Sequence, residues 1–436
     1  MTDTPDTKGA PRGAGSFCIP KAALNALLDN NATAYEICTY LVLARFTDDS
    51  GRFSVANISA VNRHTGANKT KGGSVDKAIQ RLLTIRAKGA KTMVSNGQTG
   101  RRHAMVEQFA DLGPILYSRD GWHQETGEIL PDGPLERSKV LNVLPDFDEL
   151  QADRVWFGNN LVTGYATFMQ PMKALKNAGD VAARLLLSMY AANDMEIWGG
   201  VRPVGSGSGP WKHYEPVADD VNLYGGARLI RAKDSGQIAV IDKRITGAGE
   251  SQTYFDALSA LNSAGLVYEV VLVLNRNGVK AKFASDSEYT KIPDDAEPFY
   301  ELDCRSQHGY KPEGEEGIAW ATANTAGALH HPVTLEGGQF DATYAAIVLK
   351  GYGAMIAGIY RLRFRVSNPK NAGVKGTWAG IHQRNKEALE LVNSIRAANK
   401  LPPAAPPNVN PDSPREKLRQ LREAADAVDN SGSIPF

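Results

Sequence analysis

Cysteine is scarce in this chain. Cys18, Cys38 and Cys304 are odd in number and far apart, which excludes a disulfide framework and any Cys-based zinc spacing. Free thiols of this kind are usually buried and inert, and they suit a reducing cytoplasm, where the protein is expected to act. Long apolar runs are missing too: no stretch of about 18 such residues occurs, so no membrane-spanning helix and no membrane partner are expected. Residues 1–16 lack the apolar core of a secretion signal and read as a disordered N-terminal lead-in. No Gly-x-x-x-x-Gly-Lys-Ser/Thr loop is present, which argues against an ATPase core. The three glycines Gly205, Gly207 and Gly209 follow no clear strand and lead into Pro210, not into a helix, so they are no nucleotide loop. His330-His331 is the one histidine pair and has neither a third ligand nor a carboxylate cluster at metal spacing. The sequence therefore leads to an expectation of no catalytic residues, no metal, no cofactor and no enzyme activity.

Net charge is nearly absent, but the charge is unevenly spread. The whole chain carries 49 Lys plus Arg against 48 Asp plus Glu. From Arg52 to Arg102, however, Arg52, Arg63, Lys69, Lys71, Lys77, Arg81, Arg86, Lys88, Lys91, Arg101 and Arg102 face the single acid Asp76. Such a local excess points to a polyanion as partner. The same stretch has a readable shape. Residues 54–66 form a short helix closed by a Gly turn, and residues 73–85 a second helix, with Ser74 as its expected N-cap. Val75, Ile79 and Leu82/Leu83 make an apolar stripe, leaving Lys77 and Arg81 on another face. Strands at 90–94 and 104–109 flank a loop that carries Arg101, Arg102 and His103. Helix, turn, helix and a hairpin with a basic tip is the order of a winged helix. On that reading, Asn68, Lys69, Lys71, Ser74, Lys77 and Arg81 meet DNA in the major groove, and Arg63 is a further DNA-binding candidate. Arg101, Arg102 and His103 reach it from the wing, with cations on phosphates and polar side chains reading bases.

The rest of the chain is expected to repeat this plan. A helix follows Pro20, and Thr33 with Glu36 forms a capping box for a second helix over 34–46. Residues 17–112 make a first domain, and 113–153 an acidic connector. Residues 154–398 make an elaborated second domain, with an apolar helix at 180–192 and another at 251–264 that ends at Gly265. A strand at 266–274 follows. Lys243, Arg244, Ser251, Gln252 and Thr253 are the corresponding DNA-binding candidates. Arg361, Arg363 and Arg365 alternate with Leu362, Phe364 and Val366, so they share one strand face, which is expected to be basic. Eight Lys/Arg and no acid lie between Lys350 and Lys386. Residues 399–436 form a Pro-rich linker, a short charged helix and a tip. The fold class is thus α+β, with tandem winged-helix domains.

Two winged-helix-like lobes without catalytic motifs resemble the replication initiators of plasmids and other mobile elements, over roughly Phe17 to Asn275. Ser433-Ile-Pro-Phe436 is similar to the C-terminal tip of bacterial single-stranded DNA-binding proteins, although the dense Asp run of that family is reduced here to Asp426 and Asp429. The first resemblance implies sequence-specific binding of double-stranded DNA at a replication origin. The second implies that Ile434, Pro435 and Phe436 bind host replication proteins, an aromatic ring and a carboxylate being captured together. A transcriptional regulator of a mobile element uses the same parts and is the alternative. A homodimer fits either reading.

Overall fold

Burial of apolar helix faces organises this chain. The computed structural model describes residues 15–47, 54, 56, 58–67, 73–95, 105–118, 140–141, 154–164, 170–203, 210–216, 228–239, 241–247, 251–276, 296–303, 343–346, 355–366 and 374–398. Strand β1 (Ser16–Pro20) runs into helix α1 (Lys21–Asp29). Helix α2 (Ala34–Arg45) opens on the expected capping box: Thr33 Oγ1 accepts from the Glu36 N–H at 3.3 Å, and Glu36 Oε2 accepts from the Thr33 N–H at 2.7 Å. Every residue of α2 from Glu36 to Ala44 is buried, so this helix is hydrophobic all round and central rather than one-sided.

Helices α3 (Ile58–Thr65) and α4 (Ser74–Leu82) follow. The cap residue of α4 is Gly73, not Ser74, and Ser74 is its first helical residue. Antiparallel strands β2 (Arg86–Ser95) and β3 (Met105–Pro114) form a hairpin longer than the pattern predicted. Short pairs β4 (Tyr117–Ser118) and β5 (Val140–Leu141) lie within the predicted connector, most of which is outside the described residues. Strand β6 (Arg154–Gly158) then pairs antiparallel with β1, with Phe17 opposite Phe157 and Ile19 opposite Val155.

After α5 (Asn160–Thr163) come α6 (Pro171–Ala178) and α7 (Asp180–Ala191). The small pair β7 (Asn193–Asp194) and β8 (Gly200–Val201) precedes β9 (Trp211–Pro216) and β10 (Arg228–Ile238). Helices α8 (Lys243–Thr246) and α9 (Ser251–Ser263) lead through Gly265 into β11 (Val267–Arg276). Gly265 has φ +68°, the left-handed conformation that ends a helix most readily at glycine, as the sequence predicted. Strands β12 (Ala296–Asp303), β13 (Thr343–Ala346) and β14 (Met355–Leu362), and helix α10 (Trp378–Ala398), complete the described fold. Six strands form one antiparallel sheet in the order β12-β11-β14-β9-β10-β13. The fold class is α+β, as expected.

The segments before and after the connector expected at 113–153 pack together. A single hydrophobic core contains Leu27, Leu41 and Ile79 together with Phe157, Leu186, Leu258 and Leu362. Asp180, in the first turn of α7, accepts from the Ala34 N–H at 2.8 Å and so caps α2 from the far side of the connector. The segments on either side of 113–153 thus share one core. A second, smaller core lies between the six-stranded sheet and α10: Tyr268, Val270, Leu272, Ala357 and Ile359 pack against Trp378 and Ile381.

The two helix-to-strand passages differ at the strand. Leu82 in α4 and Leu258 and Leu261 in α9 are all buried. Among the described residues, strand β2 has one partner, whereas β11 is paired on both edges, by β12 and by β14.

Candidate nucleic-acid interface

Helix α4 has two clearly different faces. Val75, Ala78, Ile79 and Leu82 are buried against α2 and its neighbours, while Ser74, Lys77, Gln80 and Arg81 are exposed. The spacing i, i+3, i+4, i+7 of the apolar set produces this division at 3.6 residues per turn. Helix α3 supports α4 through buried Val61 and Thr65 and exposes Ser59 and Arg63. It ends at Gly66, where φ is +64°. The Thr65 hydroxyl donates back to the Val61 carbonyl at 2.8 Å, which keeps this polar side chain satisfied inside the core.

The hairpin is closed at its base by main-chain and side-chain bonds. The Ile115 N–H donates to the Ile85 carbonyl at 3.0 Å. Arg86 in β2 forms a forked ion pair with Asp111 in β3, closest approach 2.6 Å. The Arg86 hydrogen bonds, with the Gly113 N–H, hold the Asp111 carboxyl below the usual carboxylate range. Lys88 lies over the ring of Phe109 at 5.6 Å, and Phe109 is one of two large hydrophobic residues exposed among the described residues.

The exposed cations of α3 and α4 differ from several others in the fold. Arg244, Lys212, Lys375 and Arg361 each meet a carboxylate. Among the described residues, no ion pair engages Arg63, Lys77 or Arg81. The other candidates of this segment, Asn68, Lys69, Lys71, Arg101, Arg102 and His103, lie outside the described residues, as do Ile434, Pro435 and Phe436.

The second set of candidates is dispersed. Lys243 is exposed at the start of α8. Arg244 is engaged: its guanidinium makes a forked pair with Asp242 and reaches Asn25 at 3.2 Å and Asp29 at 3.5 Å in α1. Asp242 also caps α8 by accepting from the Arg244 N–H at 2.9 Å. Burial pushes the Asp242 carboxyl up, but hydrogen bonds from Arg244 outweigh it and hold the group below its ordinary value. Ser251, Gln252 and Thr253 open α9; Gln252 is exposed and donates to Asp256 at 2.8 Å.

The basic strand face expected from Arg361, Arg363 and Arg365 is corrected by the structure. All three are buried, with exposures of 0%, 5% and 7%. Strand β14 ends at Leu362, so only Arg361 lies on it. Arg361 is opposite Tyr268 in the ladder and shares a face with Ile359 and Ala357, which is the face that α10 covers. It pairs with Glu301 of β12, also fully buried, and donates from Nε to the Gly199 carbonyl at 2.7 Å. Arg365 donates to the Gly199 and Gly376 carbonyls and stacks on Trp378, 3.7 Å from its ring centre. Alternation put three arginines on one side; it did not say which side a helix would cover.

One cation near α3 was missed. Lys173, in α6, lays its side chain across Gly66: a Cβ on that glycine would meet Lys173 Cδ at 2.9 Å. No local pattern announces this, because the two residues are far apart in sequence. Among the described residues, no group of three or more His, Cys, Asp or Glu is placed to hold a metal ion, and no helix is long and apolar enough to cross a membrane. Comparisons with protein-family models, curated proteins and solved structures found no match to this chain.

Proposed function

We propose that this protein binds double-stranded DNA sequence-specifically, with α3, α4 and the β2–β3 hairpin acting as a winged helix, and that it serves as a replication initiator of a plasmid or mobile element. The observation that supports this most is the exposed side of α4. There Lys77 and Arg81 stand one turn apart without carboxylate partners among the described residues, on a helix whose other side is locked into the core. Cations in this state gain most from phosphate, because no internal ion pair must be broken first. Ser74 and Gln80 beside them can read base edges. The segment Ile434 to Phe436 recruits host replication proteins in this reading.

The test is recovery of bound DNA from cells carrying the full chain or a version without Ile434 to Phe436. Repeated sites beside a replication start, with binding kept and replication lost on truncation, would support initiation. A promoter operator unaffected by truncation would favour a transcriptional regulator of a mobile element. Failure to recover any specific DNA would refute both.

A further inference from the structure

We propose that α6, more than a hundred residues downstream of α3, contributes Lys173 to the same DNA surface as a phosphate contact; this rests on the DNA-binding reading above. Three observations carry it. First, α6 is held rigidly. Pro171, Met172 and Leu175 are buried, and the Met172 carbonyl accepts from the Cys38 thiol of α2 at 3.4 Å. Second, Lys173 is exposed, and its methylene chain crosses Gly66, the residue at which α3 turns toward α4. Its side chain therefore ends beside the C-terminal turn of α3 at Gly66, on the helix that exposes Arg63. Third, no ion pair engages Lys173 among the described residues, as for Arg63, Lys77 and Arg81. Its neighbour Lys176 differs: it is half-buried and lies over the Tyr35 ring at 5.3 Å. No ion pair engages Lys243 among the described residues either, but it directly follows Asp242, a carboxylate that would repel phosphate.

A competing role for Lys173 is local. A cation beside the C-terminal end of α3 complements the partial negative charge there. The two roles separate experimentally, since only a phosphate contact releases a counterion on binding.

The experiment measures affinity of the full chain for a short mixed-sequence duplex by fluorescence anisotropy across a range of salt concentrations. Phosphate contacts are indifferent to sequence, so no knowledge of the target site is needed. Loss of one contact should reduce the slope of log K against log salt by about 0.9, which is a roughly 8-fold weakening at 0.1 M salt that vanishes near 1 M. Lys173→Gln is expected to show this loss, Lys173→Arg to restore most of it, and Lys176→Gln to match the parent. Thermal unfolding of Lys173→Gln checks that the fold is unchanged. An unchanged slope for Lys173→Gln, alongside a reduced slope for Lys77→Gln, overturns the inference and leaves the DNA reading standing. Weakened binding with the parental slope assigns Lys173 the local role and also overturns it. No duplex binding by the parent chain, or unchanged slopes for both variants, overturns the DNA reading itself.

Discussion

Replacing Arg361 by Met should destabilise the protein severely, and the reason is the partner it leaves behind. Arg361 and Glu301 are both 0% exposed and face each other between β14 and β12. Removing the arginine leaves the buried Glu301 carboxylate without its close partner and with Arg384 only at 3.9 Å, a change that costs up to about 3–5 kcal/mol. The lost hydrogen bond to Gly199 and the lost contact with Trp378, 5.3 Å away, place the expected value toward the upper end. At about 2–4 °C per kcal/mol for a unit of 150–250 residues, the midpoint should fall by roughly 6–20 °C. The double variant Arg361→Met/Glu301→Leu removes both charges. It should recover much of the loss, since apolar replacements of buried pairs are often near neutral. Urea unfolding followed by tryptophan fluorescence suits the purpose, because Trp198, Trp211 and Trp378 all lie in the core beside this pair. A cost below about 0.5 kcal/mol for the single variant would be typical of a surface change. Such a result would refute the buried placement and return Arg361 to the basic outer face that alternation suggested. A double variant no better than the single one would show that the charges are not coupled.

Other outcomes follow from the same geometry. Thr33→Ala removes one half of the capping box of α2 and should cost about 0.5–2 kcal/mol in urea unfolding. Gly158→Ala should prevent stable folding, visible as loss of soluble protein, because the added Cβ would sit 2.6 Å from the Phe364 carbonyl oxygen. His64 is held below its ordinary value by burial and by the charges of Arg63 and Arg45, against a hydrogen bond with the Val162 backbone. The unfolded chain therefore takes up a proton first as pH falls, and stability should decline as pH drops through about 6.5; His64→Gln should flatten that part of the profile in urea midpoints. Arg81→Gln should weaken duplex binding uniformly across sequences and lower the salt slope by about one, measured by anisotropy.

How much of this could be read beforehand depended on the range of each interaction. The Thr33-to-Glu36 box, the stripe of α4 and the Gly265 stop act within a few residues, and the pattern located all three. The residues of β10, Arg228 to Ile238, mix charged, small and apolar side chains without alternation, so that strand left no signature. Arg361 was legible as one member of a face but not as a buried residue, since that depends on α10 packing over β14. The pairing of β1 with β6 and the contact of Lys173 with Gly66 bring together distant residues for which no periodicity exists. The exposed cations of α4 were legible because helical spacing alone separates them from the core side.

The cap that Asp180 places on α2 also has a consequence for biosynthesis. Donor and acceptor are separated by 146 residues, and chains emerge from the ribosome at about 5–20 residues per second. Helix α2, apolar on every side, must therefore wait for roughly 7–30 s before α7 can cover it. During that interval α3 and α4 can cover only part of the helix, and the side that α6 and α7 bury stays open to water. Its yield in a cell should accordingly depend on chaperone capacity more than its final stability would suggest, and slowing translation after Arg45 should lower the yield.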